Sequence, residues 1–332
     1  MNQLNEQLAQ DLEEAGSQIM PVLEDLFPRN EVDYLSAPVW HHMQTGGKRI
    51  RPALCLMCCE ELGAEPDRAL NFAAAVELLH NMLLVHDDIE DGDRVRRDEP
   101  TVWVKFGVEN AINVGDYMLG RAYSLIMDSP LDEHITLQLA RAFTRTYEHT
   151  CRGQALDMNL RGTTDLSVER YLDMVRLKTG DYLALGMVGG AIIAGAPEEA
   201  IDRIRELGKN MGPAFQIRDD VIDLTQGKGR AGAIGNDIKE GKPSILYAHA
   251  LGKATGEDRQ KLIDIANRDR SATTEKHVKW VLALYDELGS LEFAQSTAEQ
   301  MVEKAFQTID EIPVDNKDFF RDVAHFMAER TT

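Results

Sequence analysis

Residues 70–91 limit what this chain can become more than any other segment. LNFAAAVELLHNMLLVHDDIED is apolar on nearly every side of a helix: Leu70, Phe72, Ala73 to Val76, Leu78, Leu79 and Met82 to Val85. A helix that is apolar all round has to be surrounded by other elements, so the segment predicts a helical assembly with itself at the centre. Yet it runs straight into VHDDIEDGDRVRRDEP, Val85 to Pro100, which holds seven acidic residues and three arginines. Carboxylates this dense at the end of a buried helix repel one another and cost free energy unless something positive meets them.

Helical periodicity dominates the rest of the 332 residues. Helical patterns cover 3–27, a start near Pro52, 108–128, 131–151, 167–194, 198–225, 243–252, 257–268, 275–288 and 290–311. Gly46-Gly47, Pro130, Gly162, Pro197 and the stretch Gly229 to Gly232 punctuate them. Tyr182 to Pro197 is uncharged and rich in Gly and Ala, but shorter than the ~20 residues of a membrane span; it reads as a tightly packed core helix. No linker, low-complexity tract or solenoid repeat interrupts the pattern. The expectation is one all-α domain over residues 1–332, a helical bundle around a central cavity.

A net charge of −20 excludes nucleic acid as a partner, because phosphate backbones need a basic surface. An anionic substrate would have to be captured by local cations against that global field. Of the four cysteines, Cys55, Cys58 and Cys59 cluster and Cys151 stands apart. Cys55-x-x-Cys58 lacks the second half of a zinc site, so these read as small apolar residues in a reducing compartment. The polar, acidic opening MNQLNEQLAQDLEEAGSQ is neither a signal nor a transit peptide. The expectation is a cytoplasmic protein without a transmembrane segment.

On a helix Asp87 and Asp91 are neighbours, one turn apart on one face. Oxygen ligands of this kind suit Mg²⁺, which binds through one or two carboxylates plus substrate phosphates. One Asp-Asp-x-x-Asp alone would pass for a solvated acidic helix end. FQIRDDVID repeats the spacing, with Asp219 and Asp223 one turn apart and Gln216 and Asp220 beside them, again between apolar flanks. Two such pairs facing each other would make a cage for several Mg²⁺ ions and a diphosphate. The cations fit: GGKRIRP offers a glycine turn with Lys48, Arg49 and Arg51 at a helix start, where anions bind well. Arg96 and Arg97 follow the first motif closely enough to reach what it binds, and Arg presents a planar fork to phosphate oxygens. Lys178 is expected to end a helix that carries Tyr171 and Val175. His80 lies seven residues before Asp87, ~10 Å along the axis on the same face, where it can donate to a second anion.

Taken together, GGKRIRP, LLHNMLLVHDDIEDGDRVRRDEPT, GDYML, GQALD, LKTG, FQIRDDVIDL and GNDIKEGKPS resemble the trans-isoprenyl diphosphate synthases, or polyprenyl synthetases, over roughly residues 40–250, most of all the geranylgeranyl diphosphate synthases. The resemblance implies the all-α isoprenoid synthase fold and a homodimer. It implies Asp87, Asp91 and Asp219 as Mg²⁺ ligands, three ions with substrate bound, and Asp88, Asp220 and Asp223 as supports for metal-bound waters. It implies Lys48, Arg51, His80 and Arg97 for isopentenyl diphosphate, and Arg96, Lys178 and Lys242 for the allylic diphosphate. Phe215, Gln216 and Thr179 would line the reacting centre. Mg²⁺ and the cations would draw electrons from the allylic diphosphate until its C–O bond breaks. The double bond of isopentenyl diphosphate would then attack the cation, with a proton lost to the released pyrophosphate.

One position departs from the family pattern. A G-K-x-G-x-D lysine is replaced by Ala233 in Gly232-Ala233-Ile234-Gly235-Asn236-Asp237; Lys228 and Arg230 are the nearby cations. Product length would be set one turn before Asp87, at Met82 and Leu83. The two-residue gap of DDIED is like that of geranylgeranyl and longer-chain synthases, with farnesyl and farnesylgeranyl diphosphate as neighbouring products. Two other readings stay open: a class I terpene cyclase, although no N-D-x-x-S-x-x-x-E motif is found, and a non-catalytic partner of another synthase.

Overall fold

The computed structural model describes residues 2–29, 33–225 and 234–329. Ala233, Lys228 and Arg230 lie outside them. The described residues form helices α1 (Asn2–Ser17), α2 (Met20–Leu26), α3 (Asp33–Gln44), α4 (Ile50–Glu61), α5 (Leu70–Glu90), α6 (Val102–Phe106), α7 (Val108–Met127), α8 (Glu133–Leu160) and α9 (Val168–Val175). There follow α10 (Asp181–Ala194), α11 (Glu198–Thr225), α12 (Asn236–Glu240), α13 (Ile245–Lys253), α14 (Gly256–Ala266), α15 (Glu275–Glu287), α16 (Ser290–Asp310) and α17 (Asp318–Glu329). The only β-structure among the described residues is a hairpin of β1 (Val95–Arg96) and β2 (Glu99–Pro100). The fold is all-α, as expected.

The backbone falls into two compact units. One is Met1–Tyr147, Ala184–Ile204 and Pro313–Asp322; the other is Glu148–Leu183, Arg205–Ile312 and Val323–Thr332. In the first, α5 is buried along its length: Phe72, Ala73 to Val76, Leu78 and Leu79 have no exposed surface. Glycines let its neighbours close in. A β-carbon at Gly189 of α10 would lie 2.0 Å from the Phe72 ring, and one at Gly115 of α7 would lie 2.1 Å from Nε2 of His86. Gly186 and Gly190 bring α10 against the backbone of α4, where added β-carbons would stand 2.3 Å from the Arg51 carbonyl oxygen and 2.5 Å from that of Cys55. This is why the Gly-rich uncharged run is a core helix. The α4 cysteines are buried beside it, and Cys58 donates its thiol to the Met187 carbonyl. Burial raises their thiol pKa values, Cys59 to about 11, so they stay protonated and behave as apolar packing. By length and composition Pro66–Glu90 could cross a membrane, but 67% of its apolar window is buried within the protein.

In the second unit, Tyr171, Ile217, Ile245, Leu246, Val281 and Tyr285 draw α9, the C-terminal half of α11, α13 and α15 around one core. Between α9 and α10 the backbone widens into a π-helical turn, Arg176–Gly180. Lys178 therefore does not end a helix; it sits inside this turn. The pattern over 3–27 is likewise two helices, because Pro21 fits a first turn and restarts the chain after residues 18–19. The helices α3, α6 and α12 carry only weak patterns; α17 carries a clear one, with Phe319, Phe320, Val323, Ala324, Met327 and Ala328 buried at helical spacing, outside the stretches named above.

Candidate active site

The first unit carries the first aspartate motif at the C-terminal end of α5. Asp91 closes the last turn, its N–H donating to the Asp87 carbonyl at 2.8 Å. The three acids are not equivalent. Asp88 is 1% exposed, and its Oδ1 accepts from Nε of Arg96 at 2.8 Å, with Nη2 at 2.7 Å. Burial raises its carboxyl to about 6, against the pull of Arg96. Asp87 and Asp91 stay half-buried, and Arg96 Nη2 lies 3.9 Å from Asp87 Oδ2. The middle acid is thus buried and braced, and the outer two keep more exposed surface.

The hairpin after α5 explains how two adjacent arginines serve different places. Its turn residues, Arg97 and Asp98, have φ of 51° and 66°. Such two-residue turns normally use Asn-Gly, and left-handed backbone in other residues costs ~1–3 kcal/mol and gathers at functional sites. The turn sends Arg96 toward Asp88 and Arg97 back to the loop before α4. There Arg97 Nη1 donates to the Gly46 carbonyl and approaches Thr45 Oγ1 at 3.5 Å. Gly47 leaves room for it, since a β-carbon would lie 3.0 Å from Arg97 Nη1. Arg49, with φ 44°, completes the three non-glycine positive-φ residues among those described. Arg49 precedes the first turn of α4; Arg51 lies within that turn and Lys48 just before it. His80 belongs to the same cluster: burial holds its pKa well below the usual range, and Arg51 and Arg97 depress it further. A neutral His80 is a donor without a competing charge.

The second unit carries the second motif near the end of α11. Again the middle acid is braced. Asp220, 4% exposed, accepts from the Tyr171 hydroxyl at 2.7 Å and from Gln216 Nε2 at 3.0 Å. Asp223 has no exposed surface, and its Oδ2 accepts from the backbone N–H of Asp237 at 3.1 Å, holding the first turn of α12. Asp219, Phe215 and Gln216 stay half-buried. Lys242 lies beyond α12, 3.4 Å from Glu240 and 4.0 Å from Asp237.

The π turn delivers Lys178 and Thr179. It is wedged by glycines: a β-carbon at Gly153 of α8 would lie 2.3 Å from the Lys178 nitrogen, and one at Gly212 of α11 would lie 2.8 Å from Gly180 Cα. Lys178 Nζ meets Asp157 Oδ2 at 2.5 Å. A π turn in this position is a common mark of a functional site. Asp157 and Tyr171 are site residues to which the sequence reading gave no role. GQALD held the signal for the first, since Asp157 follows Gly153 by one turn and so shares its face.

The description "Polyprenyl synthetase" matches residues 32–285 of this chain. A geranylgeranyl diphosphate synthase of Saccharolobus solfataricus is 32% identical over 88% of this chain and 88% of its own length. A geranylfarnesyl diphosphate synthase of Aeropyrum pernix is 35% identical over 90% of this chain and 95% of its own. Among solved structures, a geranylgeranyl pyrophosphate synthetase from Pyrococcus horikoshii Ot3 aligns with a TM-score of 0.89 at 31% identity, covering 98% of this chain and 99% of that one. The motifs, the all-α fold and these matches agree, and the chain belongs to the polyprenyl synthetase family.

Proposed function

We propose that the protein is a trans-prenyltransferase that condenses isopentenyl diphosphate with dimethylallyl, geranyl or farnesyl diphosphate and releases pyrophosphate. The product is a short-to-medium all-trans prenyl diphosphate, geranylgeranyl first, with farnesyl or farnesylgeranyl as the alternatives. The observation that carries the reading is the unequal treatment of the acids. Asp88 and Asp220 are buried and braced, by Arg96 and by Tyr171 with Gln216. Asp87, Asp91 and Asp219 are left half-buried.

Those three would hold Mg²⁺, three ions in all, which when bound supplies the electrostatic pull on the leaving diphosphate. The donors fit in kind: carboxylate oxygens suit Mg²⁺, whose remaining positions water and phosphate oxygens would fill. Asp223, with one oxygen committed to Asp237, suits the role of a brace. Arg96, Lys178 and Lys242 would meet the allylic diphosphate. Lys48, Arg51, His80 and Arg97 would orient isopentenyl diphosphate, with Phe215, Gln216 and Thr179 at the reacting centre. Leu83 is half-buried one turn before Asp87, where a growing chain would meet it; Met82, 1% exposed, backs that wall. A second copy of the chain is the expected protein partner. Val108, Ile112, Met127 and Leu137, exposed on α7 and α8, support that expectation.

The experiment is incubation of the purified protein with Mg²⁺ and each allylic diphosphate, with and without isopentenyl diphosphate. Pyrophosphate release that needs both substrates and a prenyl diphosphate product by mass spectrometry are expected. A hydrocarbon made from the allylic substrate alone would point to a cyclase, and no turnover at all to a non-catalytic partner.

A further inference from the structure

One stripe of α8 meets the π turn at three successive steps. His149, Gly153 and Asp157 stand four residues apart, so each lies ~6 Å further along the helix and close to the same face. Gly153 gives the Lys178 backbone room, and Asp157 Oδ2 meets Lys178 Nζ. His149 reaches the far end of the turn. Its Nδ1 stands 2.5 Å from Oδ2 of Asp181, the residue that follows Gly180 and opens α10. A carboxylate only accepts, so the imidazole nitrogen is the donor. Asp181 is the only charged side chain of α10, and it is 8% exposed. Its second oxygen, Oδ1, is buried with no hydrogen-bond partner among the described residues. A half-served carboxylate in an apolar core helix costs free energy, and an apolar residue would suit the packing of α10 better.

The place of the pair supplies the reason. A π turn holds one residue more than the α-helix on either side of it. Shifting that extra residue by one position would rotate Lys178 by ~100° about the helix axis and carry its Nζ away from Asp157. Gly153 and Gly212 let the turn come close to α8 and α11, but a glycine has no side chain with which to select one rotation. A directional contact has to do that. The contact of Lys178 with Asp157 is one, yet Lys178 is the group that must turn to an arriving anion. The contact between His149 and Asp181 does not involve Lys178 and stays in force when it turns. We propose that His149 and Asp181 are a positioning pair that locks the C-terminal end of the π turn to α8 and so fixes the direction in which Lys178 is presented. The inference rests on the assignment of Lys178 to the allylic diphosphate. Neither residue touches the substrate; both act through Lys178.

The test removes the pair whole. His149→Phe combined with Asp181→Leu puts apolar groups of similar size in place of both polar ones, which for a buried pair is often neutral or stabilising. The thermal melting midpoint should therefore hold or rise. At the same time kcat/KM for the allylic diphosphate should fall about tenfold, with KM for isopentenyl diphosphate as in the wild type. In a Lys178→Ala background the same two changes should cost less than about twofold more, because the group they position is gone. A loss of about tenfold in that background overturns the proposal. So do wild-type kinetics in the double variant, and so does a lower melting midpoint with both KM values raised, which is the mark of a structural pair. If the double variant does not fold, Asp181→Ala removes the buried carboxylate and leaves His149, whose side chain is 23% exposed, to water; the same kinetic split is expected. Failure of both to fold assigns the pair to structure and overturns the proposal. A wild-type protein that turns over no allylic diphosphate refutes the underlying function instead, a result distinct from any of these.

Discussion

Gly153 makes the sharpest prediction. Alanine there would place a methyl group 2.3 Å from the Lys178 nitrogen, 2.6 Å from its Cα and 2.7 Å from its Cβ. Ordinary contact begins at 3.4 Å, so the π turn or α8 must yield by about 1.1 Å (3.4 − 2.3). The obstacle is backbone and not the flexible end of a side chain, so a rotamer change cannot relieve it. The turn also abuts α11 through Gly180 and Gly212, which restricts how it can give way. Overpacking of this kind costs ~1–3 kcal/mol, and backbone contacts favour the upper half of that range. Displacing a positioned cation by about 1 Å can cost ~100-fold in rate. Gly153→Ala should therefore lower kcat by about 30- to 100-fold and the melting midpoint by several degrees. Pyrophosphate release and a thermal melt measure both. A variant that melts and turns over like the wild type would refute the claim that close α8 packing holds Lys178 in place.

Three further outcomes follow from the same geometry. Asp88→Asn keeps the shape of the brace but removes the charge that holds Arg96, and kcat should fall about tenfold or more; wild-type turnover would remove Asp88 from this role. His42 is held neutral, its pKa lowered to about 3 by burial first and then by Arg96 and Arg97. A base whose folded pKa lies below its unfolded value of ~6.5 contributes stability above that value and loses it as pH falls. Between pH 7 and 5.5 the loss is about 1 kcal/mol from this group, so urea midpoints should drop over that window and drop less in His42→Gln; equal slopes would contradict it. Met82→Ala should lengthen the product and Met82→Phe shorten it, read by mass spectrometry, and no shift in either direction would take Met82 out of the wall.

Much of the fold was legible because burial follows helical periodicity. The all-round apolar character of residues 70–91 located the centre of the first unit, and Gly186, Gly189 and Gly190 in the uncharged run foretold close helix contact. The spacing of Asp87, Asp91, Asp219 and Asp223 announced two acidic helix faces before any coordinates. What stayed hidden depends on hydrogen-bond register and on distant partners. Arg97 and Asp98 adopt left-handed backbone without the glycine that would have flagged a tight hairpin, so the return of Arg97 to the Gly46-Gly47 loop could not be read. The π turn at Arg176–Gly180 changes no hydropathy pattern, so Lys178 looked like a helix end. Within each Asp-Asp-x-x-Asp the first two acids are chemically identical. Burial and short contacts separate them: Arg96, eight residues on, for Asp88, and Tyr171, 49 residues away, for Asp220. Side-chain identity thus told which chemistry was present, and burial with short contacts told which acids are held inside the fold and which keep exposed surface.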